Sequence, residues 1–168
     1  MTRNTKKAGQ RKMSENNRDM AEGNNKRVCH IGDSASLTKQ FTKEDIDGFA
    51  AMTLDDNGMH VDPDMCRRGL FRRPVVHGVL VGSLISSVMG TKLPGSGTVL
   101  QEQQIKYLNP VYPGDTITAE VTLTAVKEAE RYYTATLEGT CRNQDDVLCV
   151  EAVCKQLMLK RFFTVEED

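Results

Sequence analysis

The feature that most constrains the fold is one long apolar helical segment followed by several long segments of alternating polarity. Residues 78–90 are apolar around most of a helix circumference, which is typical of a buried helix. Beyond Gly97 the period changes to two, and apolar residues alternate with polar ones over residues 117–125, 133–141 and 148–154. Such strands bury one face and expose the other, which predicts an antiparallel meander. The expected fold class is α+β, with a curved antiparallel sheet wrapped around a long central helix.

Shorter elements are predicted before the central helix. Residues 36–41 alternate modestly and are expected to form a strand. The segment Thr42-Lys43-Glu44-Asp45 resembles a capping box with Asp in place of Glu, so a helix is expected to run from it to about Met52. Residues 62–73 predict a short helix followed by a basic turn, and residues 98–107 predict a further strand.

Length and charge favour one acidic domain behind a basic extension. A chain of 168 residues suits a single domain, and we assign residues 29–160 to it. Residues 1–28 contain no aromatic residue and are expected to be a disordered, polar extension, and residues 161–168 a C-terminal tail. The extension carries eight Lys or Arg against three acids, whereas the remainder carries 14 against 20. An acidic domain argues against a nucleic-acid partner.

Cysteine usage and hydropathy bear on the compartment. No segment approaches the roughly 18 apolar residues of a membrane helix, so we expect a soluble protein with no membrane partner. The five cysteines include no C-x-x-C pair, which favours a reducing compartment over a disulfide framework or a zinc ribbon. The extension lacks acids before Glu15, as transit peptides do, but its scarce serine leaves a solvated tail as the alternative.

The first candidate catalytic pair is Asp55 with His60, five residues apart in a turn-rich segment. Asp and Asn side chains bond nearby amides in such turns, so the backbone can fold the two side chains toward each other. A neutral imidazole can accept a proton from water near pH 7, and a neighbouring carboxylate can fix its tautomer. The pair therefore suits the addition of water to a double bond, or its removal. The alternative is that both are ordinary turn residues.

Gly78 is the candidate oxyanion donor, because it opens the predicted buried helix. Amides in a first helical turn lack intrahelical partners, and the helix dipole favours negative charge there. The absence of a Cβ lets a thioester carbonyl approach the Gly78 N–H and be polarised by it. The preceding His77 is expected to bond a backbone group in a structural role.

Two metal hypotheses arise from the same segment, and neither is favoured. His60 and Asp62 resemble half of a two-histidine, one-carboxylate iron site, whose second histidine would be His77 or His30. His77 is 17 residues further on, at a helix entrance, which argues against that ligand set. An EF-hand fails because its twelfth position holds Asp64 in place of Glu. We therefore expect no metal and no organic cofactor.

Four motifs in order resemble the MaoC-like, (R)-specific enoyl-thioester hydratases of the hot-dog fold. They are Asp55-x-Asn57-x-x-His60, Phe71-x-Arg73-Pro74-x-x-His77-Gly78, Leu93-Pro94-Gly95-x-Gly97 and Asn109-Pro110-Val111-Tyr112-Pro113-Gly114-Asp115. The resemblance runs from about residue 31 to about residue 157 and is strongest to the hydroxyacyl-thioester dehydratases type 2 of mitochondrial fatty acid synthesis. Four motifs in one order are more specific than any one alone.

The resemblance implies a (3R)-3-hydroxyacyl-thioester dehydratase, equally a trans-2-enoyl-thioester hydratase, in fatty acid metabolism. The substrate would be a thioester of CoA or of acyl carrier protein. It further implies a homodimer with the acyl tunnel near the subunit interface, and it favours the mitochondrial matrix over the cytoplasm. Alternatives are an acyl thioesterase on the same fold and a non-catalytic module that binds acyl thioesters.

The resemblance also implies site residues, which comprise a catalytic dyad, an oxyanion donor and two supporting residues: Asp55 and His60, Gly78, and Ser86 with Asn57. Ser83 and Ser87 lie close enough to compete with Ser86 for the supporting role. The family usually has Pro after the asparagine, whereas this chain has Gly58. Because Pro fixes φ and Gly frees it, Gly58 is expected to loosen the backbone between the two dyad residues.

A cluster of four arginines follows the dyad: Arg67, Arg68, Arg72 and Arg73. Charge clusters of this kind are usually solvated surface. The functional alternative is a landing site for the phosphates of CoA or for the acidic surface of acyl carrier protein.

Overall fold

The computed structural model describes residues 26–166, so residues 1–25 of the predicted extension and the last two residues of the predicted tail lie outside it. The helices within that range are α1 Lys43–Thr53, α2 Gly58–Val61, α3 Pro63–Arg68 and α4 Gly78–Thr91. The strands are β1 Arg27–His30, β2 Ser34–Gln40, β3 Thr98–Tyr107, β4 Thr116–Glu128, β5 Tyr132–Arg142, β6 Leu148–Leu159 and β7 Phe163–Glu166.

The main sheet has five antiparallel strands in the order β2-β4-β5-β6-β3. Strands β4, β5 and β6 are consecutive neighbours, so the predicted meander is confirmed. Helix α4 contacts all five strands, which confirms the α+β architecture with a helix packed against an antiparallel sheet. Strand β3 leaves the end of α4 and reaches the far edge of the sheet, so it flanks the helix along its length.

The core lies between α4 and one face of the sheet, as the two periodicities predict. The buried residues of α4 recur at helical spacing, and those of β4 recur at every second position. They are Val81, Leu84, Ile85, Val88 and Met89 on the helix and Ile117, Ala119, Val121 and Leu123 on the strand. This packing fixes the position of the amino end of α4 relative to the ends of β3 and β6.

Helix α1 begins at the predicted capping box. The Thr42 side chain accepts a hydrogen bond from the Asp45 N–H, and the Asp45 carboxylate accepts one from the Thr42 N–H. The bond from the Thr42 backbone lowers the pKa of Asp45, and the bond from Lys39 lowers it further. The helix ends at Leu54, which is left-handed with φ 62° and directs the following residue, Asp55, out of the helical path.

Both ends of the described chain differ from the predicted boundaries. Strands β1 and β7 pair in parallel, with Arg27 opposite Phe163, so residues 27–28 of the predicted extension and residues 163–166 of the predicted tail are in regular structure. The physical reason is that Cys29 and Phe163 are both fully buried in the core. Four-residue strands are too short to show a period in the sequence, which is why the pattern did not reveal them.

No helix among the described residues is both long and apolar enough to cross a membrane.

Candidate active site

The position of His60 is set by the short helix α2. Asn57 caps this helix, its Oδ1 accepting a hydrogen bond from the Met59 N–H at 3.1 Å. The Met59 carbonyl accepts the Val75 N–H at 3.1 Å, and the His60 Nδ1 lies 2.7 Å from the Val75 carbonyl oxygen. A carbonyl can only accept, so His60 carries its proton on Nδ1. The Nε2 lone pair is therefore left available as a base.

Asp55 follows the left-handed residue that ends α1, and its side chain is exposed. One carboxylate oxygen of Asp55 and one ring nitrogen each of His60 and His77 lie within 4.8 Å of one another. The structure therefore brings the two predicted dyad residues together. A water molecule can bridge groups at that separation.

His77 contacts both predicted dyad residues. Its Nε2 lies 3.0 Å from the backbone carbonyl oxygen of Asp55, and its ring stacks on that of His60 with centroids 3.8 Å apart. The side chain is 1% exposed. The expected hydrogen bond from His77 to a backbone group is present, whereas its second contact, with the ring of His60, was not predicted.

A cavity of about 430 Å³ opens at this place, a size within the usual range for small-molecule sites. His60 and Gly78 both line it, and most of its other wall residues are apolar. They are Leu70, Phe71, Val75, Val76, Val81, Tyr107, Leu108, Asn109, Pro110, Val111 and Val150. Motif comparison singled out Phe71 and residues 109–111. It gave no indication of Tyr107, Leu108 or Val150, because only the pairing of β3 with β6 brings them here.

Gly78 is the first residue of α4, as predicted. The cap residue before it makes no side-chain capping bond, and no acceptor among the described residues bonds the Gly78 N–H. That N–H is therefore free at the positive end of a 14-residue helix, beside the cavity. Tyr107 packs directly against Gly78, and burial raises the pKa of the Tyr107 hydroxyl.

Ser86 lies two turns further along α4, outside the cavity wall. It is half-buried, and its hydroxyl has no hydrogen-bond partner among the described residues. By contrast, the Ser83 hydroxyl donates to the Leu80 carbonyl at 2.7 Å, and Ser87 is exposed. Of the three serines, Ser86 is thus the one with both partial burial and an uncommitted hydroxyl. Its role in the reaction stays a prediction, as does any role of Asn57 beyond capping.

Gly58 occupies the first position of α2, where the family usually has Pro. A Cβ on residue 58 would overlap the Sδ of Met65, so the Met65 side chain fills the space that a larger residue would need. The turn is closed by two backbone bonds, from the His60 N–H to the Asn57 carbonyl at 2.8 Å and from the Asp62 N–H to the Gly58 carbonyl at 2.9 Å. These contacts act on the segment that Gly58 is expected to loosen, and the effect of Gly58 on the dyad stays a prediction.

The three clustered side chains do not suit a shared metal ion. The Nδ1 of His60 and the Nε2 of His77 already bond carbonyl oxygens, which leaves one nitrogen on each ring. Ligand lone pairs lie in the ring plane, and the two ring planes are stacked at 26° with centroids 3.8 Å apart, so lone pairs confined to these nearly parallel planes do not meet at one metal ion. Asp62 caps α3 instead, and His30 lies on β1 beside a glutamate. The iron-type ligand set is therefore not assembled.

The arginine cluster divides into paired and unpaired members. Arg67 contacts an aspartate of its own helix, and the Arg73 guanidinium lies 3.8 Å above the centroid of a tyrosine ring. Arg68 and Arg72 are exposed and have no acidic partner among residues 26–166. In the chain they precede and follow Leu70 and Phe71, which line the cavity, although neither arginine lines it itself.

Comparisons with known proteins show what this chain is similar to. Residues 29–142 match the family described as "MaoC like domain". The chain is 40% identical to an (R)-specific enoyl-CoA hydratase of Aeromonas caviae over 74% of this chain and 93% of that protein. It is 30% identical to a mitochondrial 3-hydroxyacyl-[acyl-carrier-protein] dehydratase of Arabidopsis thaliana, over 75% of each chain.

The fold agrees with a solved structure as well. The structure of the (R)-hydratase from A. caviae involved in PHA biosynthesis superimposes with a TM-score of 0.70 at 36% identity. The superposition covers 75% of this chain and 94% of the other.

Proposed function

Because this chain belongs to the MaoC-like domain family, we propose that Asp55, His60 and Gly78 form its active site. The chain is a hydro-lyase of fatty acid metabolism: it interconverts a (3R)-3-hydroxyacyl thioester and the trans-2-enoyl thioester. The two relatives at 40% and 30% identity are named for the two directions of this one reaction.

In the hydration direction, the Nε2 of His60 removes a proton from water as the water oxygen bonds to C3. The π electrons of the double bond move toward the thioester carbonyl, whose oxygen gains negative charge. The Gly78 N–H, at the positive end of α4, stabilises that charge. Asp55 orients the water and helps to deliver a proton to C2, and dehydration retraces these steps.

One observation carries this proposal: the free base of His60 and the free N–H of Gly78 line the same cavity, with the Asp55 carboxylate beside the imidazole. General base catalysis needs the base and the charge-stabilising donor to reach one substrate at once. The mainly apolar wall provides room for an acyl chain.

The test is an assay of the purified protein with crotonyl-CoA and with a longer trans-2-enoyl-CoA. Loss of the conjugated enoyl absorbance without release of free thiol, and a product of (3R) configuration, are expected. Thiol release would instead indicate a thioesterase. Saturable binding of the thioester without turnover would indicate a non-catalytic acyl-binding module.

For the carrier we propose that Arg68 and Arg72 receive the phosphates of the thioester carrier. Their positive charges have no acidic partner among the described residues, and in the chain they lie on either side of the cavity residues Leu70 and Phe71. Guanidinium groups bind phosphate through paired, charge-assisted hydrogen bonds. Parallel assays with the same enoyl chain on CoA and on acyl carrier protein distinguish the two carriers.

We also propose that the chain forms a homodimer through β3. This strand is an edge of the main sheet, and it exposes Val99, Leu100 and Tyr107, each at least 38% accessible. Long edge strands with exposed apolar residues are suited to pairing with another chain. Because Tyr107 also lines the cavity, a second copy there would cover the cavity from the side. Light scattering coupled to size-exclusion chromatography measures the molar mass in solution, and a mass twice that of one chain is expected. The mass of a single chain would contradict the homodimer.

A mitochondrial matrix location, favoured over the cytoplasm by the resemblance, stays a prediction. The support is two relatives whose names place them in mitochondria. Fusing residues 1–28 to a fluorescent reporter tests whether they direct import.

A further inference from the structure

We infer that His77 is a positioning residue that holds Asp55 and His60 in one fixed arrangement. This inference rests on the proposed function, because it assigns a role relative to the proposed dyad. His77 contacts both dyad residues through two different parts of its ring, one edge and one face.

The first contact tethers the loop that carries Asp55. The Nε2–H of His77 donates to the Asp55 carbonyl oxygen at 3.0 Å. Asp55 is exposed, and its own N–H makes only a long bond of 3.4 Å to the Thr53 hydroxyl. Few other contacts therefore restrain this residue, and the bond to His77 fixes where its backbone lies.

The second contact fixes the plane of the His60 ring. The rings of His60 and His77 are stacked at 3.8 Å between centroids and 26° between planes. The edge of the His60 ring is held by its bond to the Val75 carbonyl, and its face is held by His77. Edge and face together determine the direction of the Nε2 lone pair, on which proton transfer depends.

His77 can hold other residues because it is itself fixed. It is 1% exposed, and the ring of Phe49 packs against it with centroids 4.9 Å apart. Its Nδ1 is buried and has no hydrogen-bond partner among the described residues, so the Nε2 bond is the one polar contact of the ring among them. A buried histidine with one unsatisfied nitrogen is uncommon in a purely structural role.

His77 also precedes Gly78 directly and is the cap residue of α4. One backbone position therefore links the tether of Asp55, the stack on His60 and the start of the helix that supplies the oxyanion donor. This linkage explains how the Asp55–His60 dyad and the Gly78 N–H on α4 keep fixed positions relative to each other.

Two substitutions separate the contacts of His77. His77→Phe keeps a ring of similar size but has no donor, whereas His77→Gln places an amide N–H near the former Nε2 but has no ring. Phe163→Leu is the stability control, because Phe163 is fully buried in β7 and pairs with Arg27, whose guanidinium lies against Gly95 beyond the carboxyl end of α4. Each variant is assayed for kcat, KM and melting temperature.

If His77 positions the dyad, His77→Phe lowers kcat by about 10²-fold with KM changed less than threefold, and His77→Gln recovers at least a tenth of the wild-type kcat. In a double-mutant cycle, the variant with both Asp55→Asn and His77→Phe should have the same kcat as the weaker of the two single variants. The reason is that both substitutions act through the Asp55 carboxylate. Phe163→Leu lowers the melting temperature without lowering kcat. A His77→Phe protein with wild-type kcat, or fully additive losses, would overturn the inference.

A measurement independent of turnover separates failure of this inference from failure of the proposed function. Hydrogen exchange of peptides covering residues 53–57 should speed up in His77→Phe and stay near wild type in His77→Gln. Unchanged exchange in His77→Phe rejects the tether even if the enzyme is active. Faster exchange supports it even if the assayed thioesters are not substrates.

Discussion

The ring of Tyr107 lies against the first residue of α4, Gly78, so closely that a Cβ at residue 78 would be 3.0 Å from the Tyr107 Cε1. The edge strand of the sheet thus touches the helix where its free N–H faces the cavity. A Cβ at residue 78 would therefore force the Tyr107 ring or the start of the helix to shift.

Gly78→Ala is therefore expected to lower kcat/KM by about tenfold or more, because Tyr107 or the helix start must shift and the oxyanion donor moves with it. Gly90→Ala, in the same helix, is the matched control, since nothing lies within 4 Å of a Cβ there. That control should keep full activity and gain about 0.5 kcal/mol or more of stability. Steady-state kinetics and chemical denaturation measure both, and unchanged kinetics in Gly78→Ala would contradict the assignment.

Asp55→Asn and His60→Ala are each expected to lower kcat by about 10²–10⁴-fold, the usual contribution of a general acid or base. Asp55 is exposed, so its change should little alter the free energy of unfolding, whereas His60→Ala also removes the bond to the Val75 carbonyl and should cost about 1 kcal/mol. Initial rates with crotonyl-CoA check this, with circular dichroism to verify folding. Near-normal turnover in either variant would show that the pair is not the catalytic dyad.

Gly58→Pro should stabilise the chain once Met65 is shortened. Asn57 has φ −51° and ψ 126°, a conformation that precedes proline well, and Pro is favoured at the first helical position. In a Met65→Ala background, Gly58→Pro is expected to add about 0.4–1 kcal/mol to the free energy of unfolding. In the wild-type background, overlap with Met65 should cancel the gain. Urea denaturation of the four proteins tests this, and a loss of stability in both backgrounds would refute it.

The double substitution of Arg68 and Arg72 by Ala is expected to raise KM for the carrier thioester about tenfold while kcat changes less than twofold. The reason is that both arginines are exposed and are close in the chain to the cavity residues Leu70 and Phe71, but neither lines the cavity with His60 and Gly78. Lys127→Ala is the charge control, since Lys127 lies at the opposite end of the sheet from Tyr107 and Val150. The effect on KM should weaken at high salt. An unchanged KM would leave the arginines as solvated surface.

Much of the fold could be predicted because its main elements are long and strongly periodic. Helix α4 lies where the long apolar segment predicted it, and strands β3 to β6 lie where the strand patterns predicted them. The capping box at Thr42 correctly located the start of α1. The pair β1–β7 was not predicted, because two four-residue strands show no period. The two strands also lie at opposite ends of the described sequence and meet only in the folded structure. That Gly58 loosens its segment stays a prediction, while the covering side chain of Met65 comes from another helix and is not visible in the local sequence.

The sequence by itself determined the residue types and their order: a carboxylate, an imidazole and a glycine at a helix start. Their spacing was enough to predict a turn that carries the first two and a helix that begins at the third. Only the tertiary structure decided what surrounds them, namely the Val75 carbonyl that selects the tautomer of His60, the tether from His77, and the wall from Tyr107. Local periodicity reports which face of an element is buried, whereas contacts between distant segments depend on how the whole sheet and helix pack.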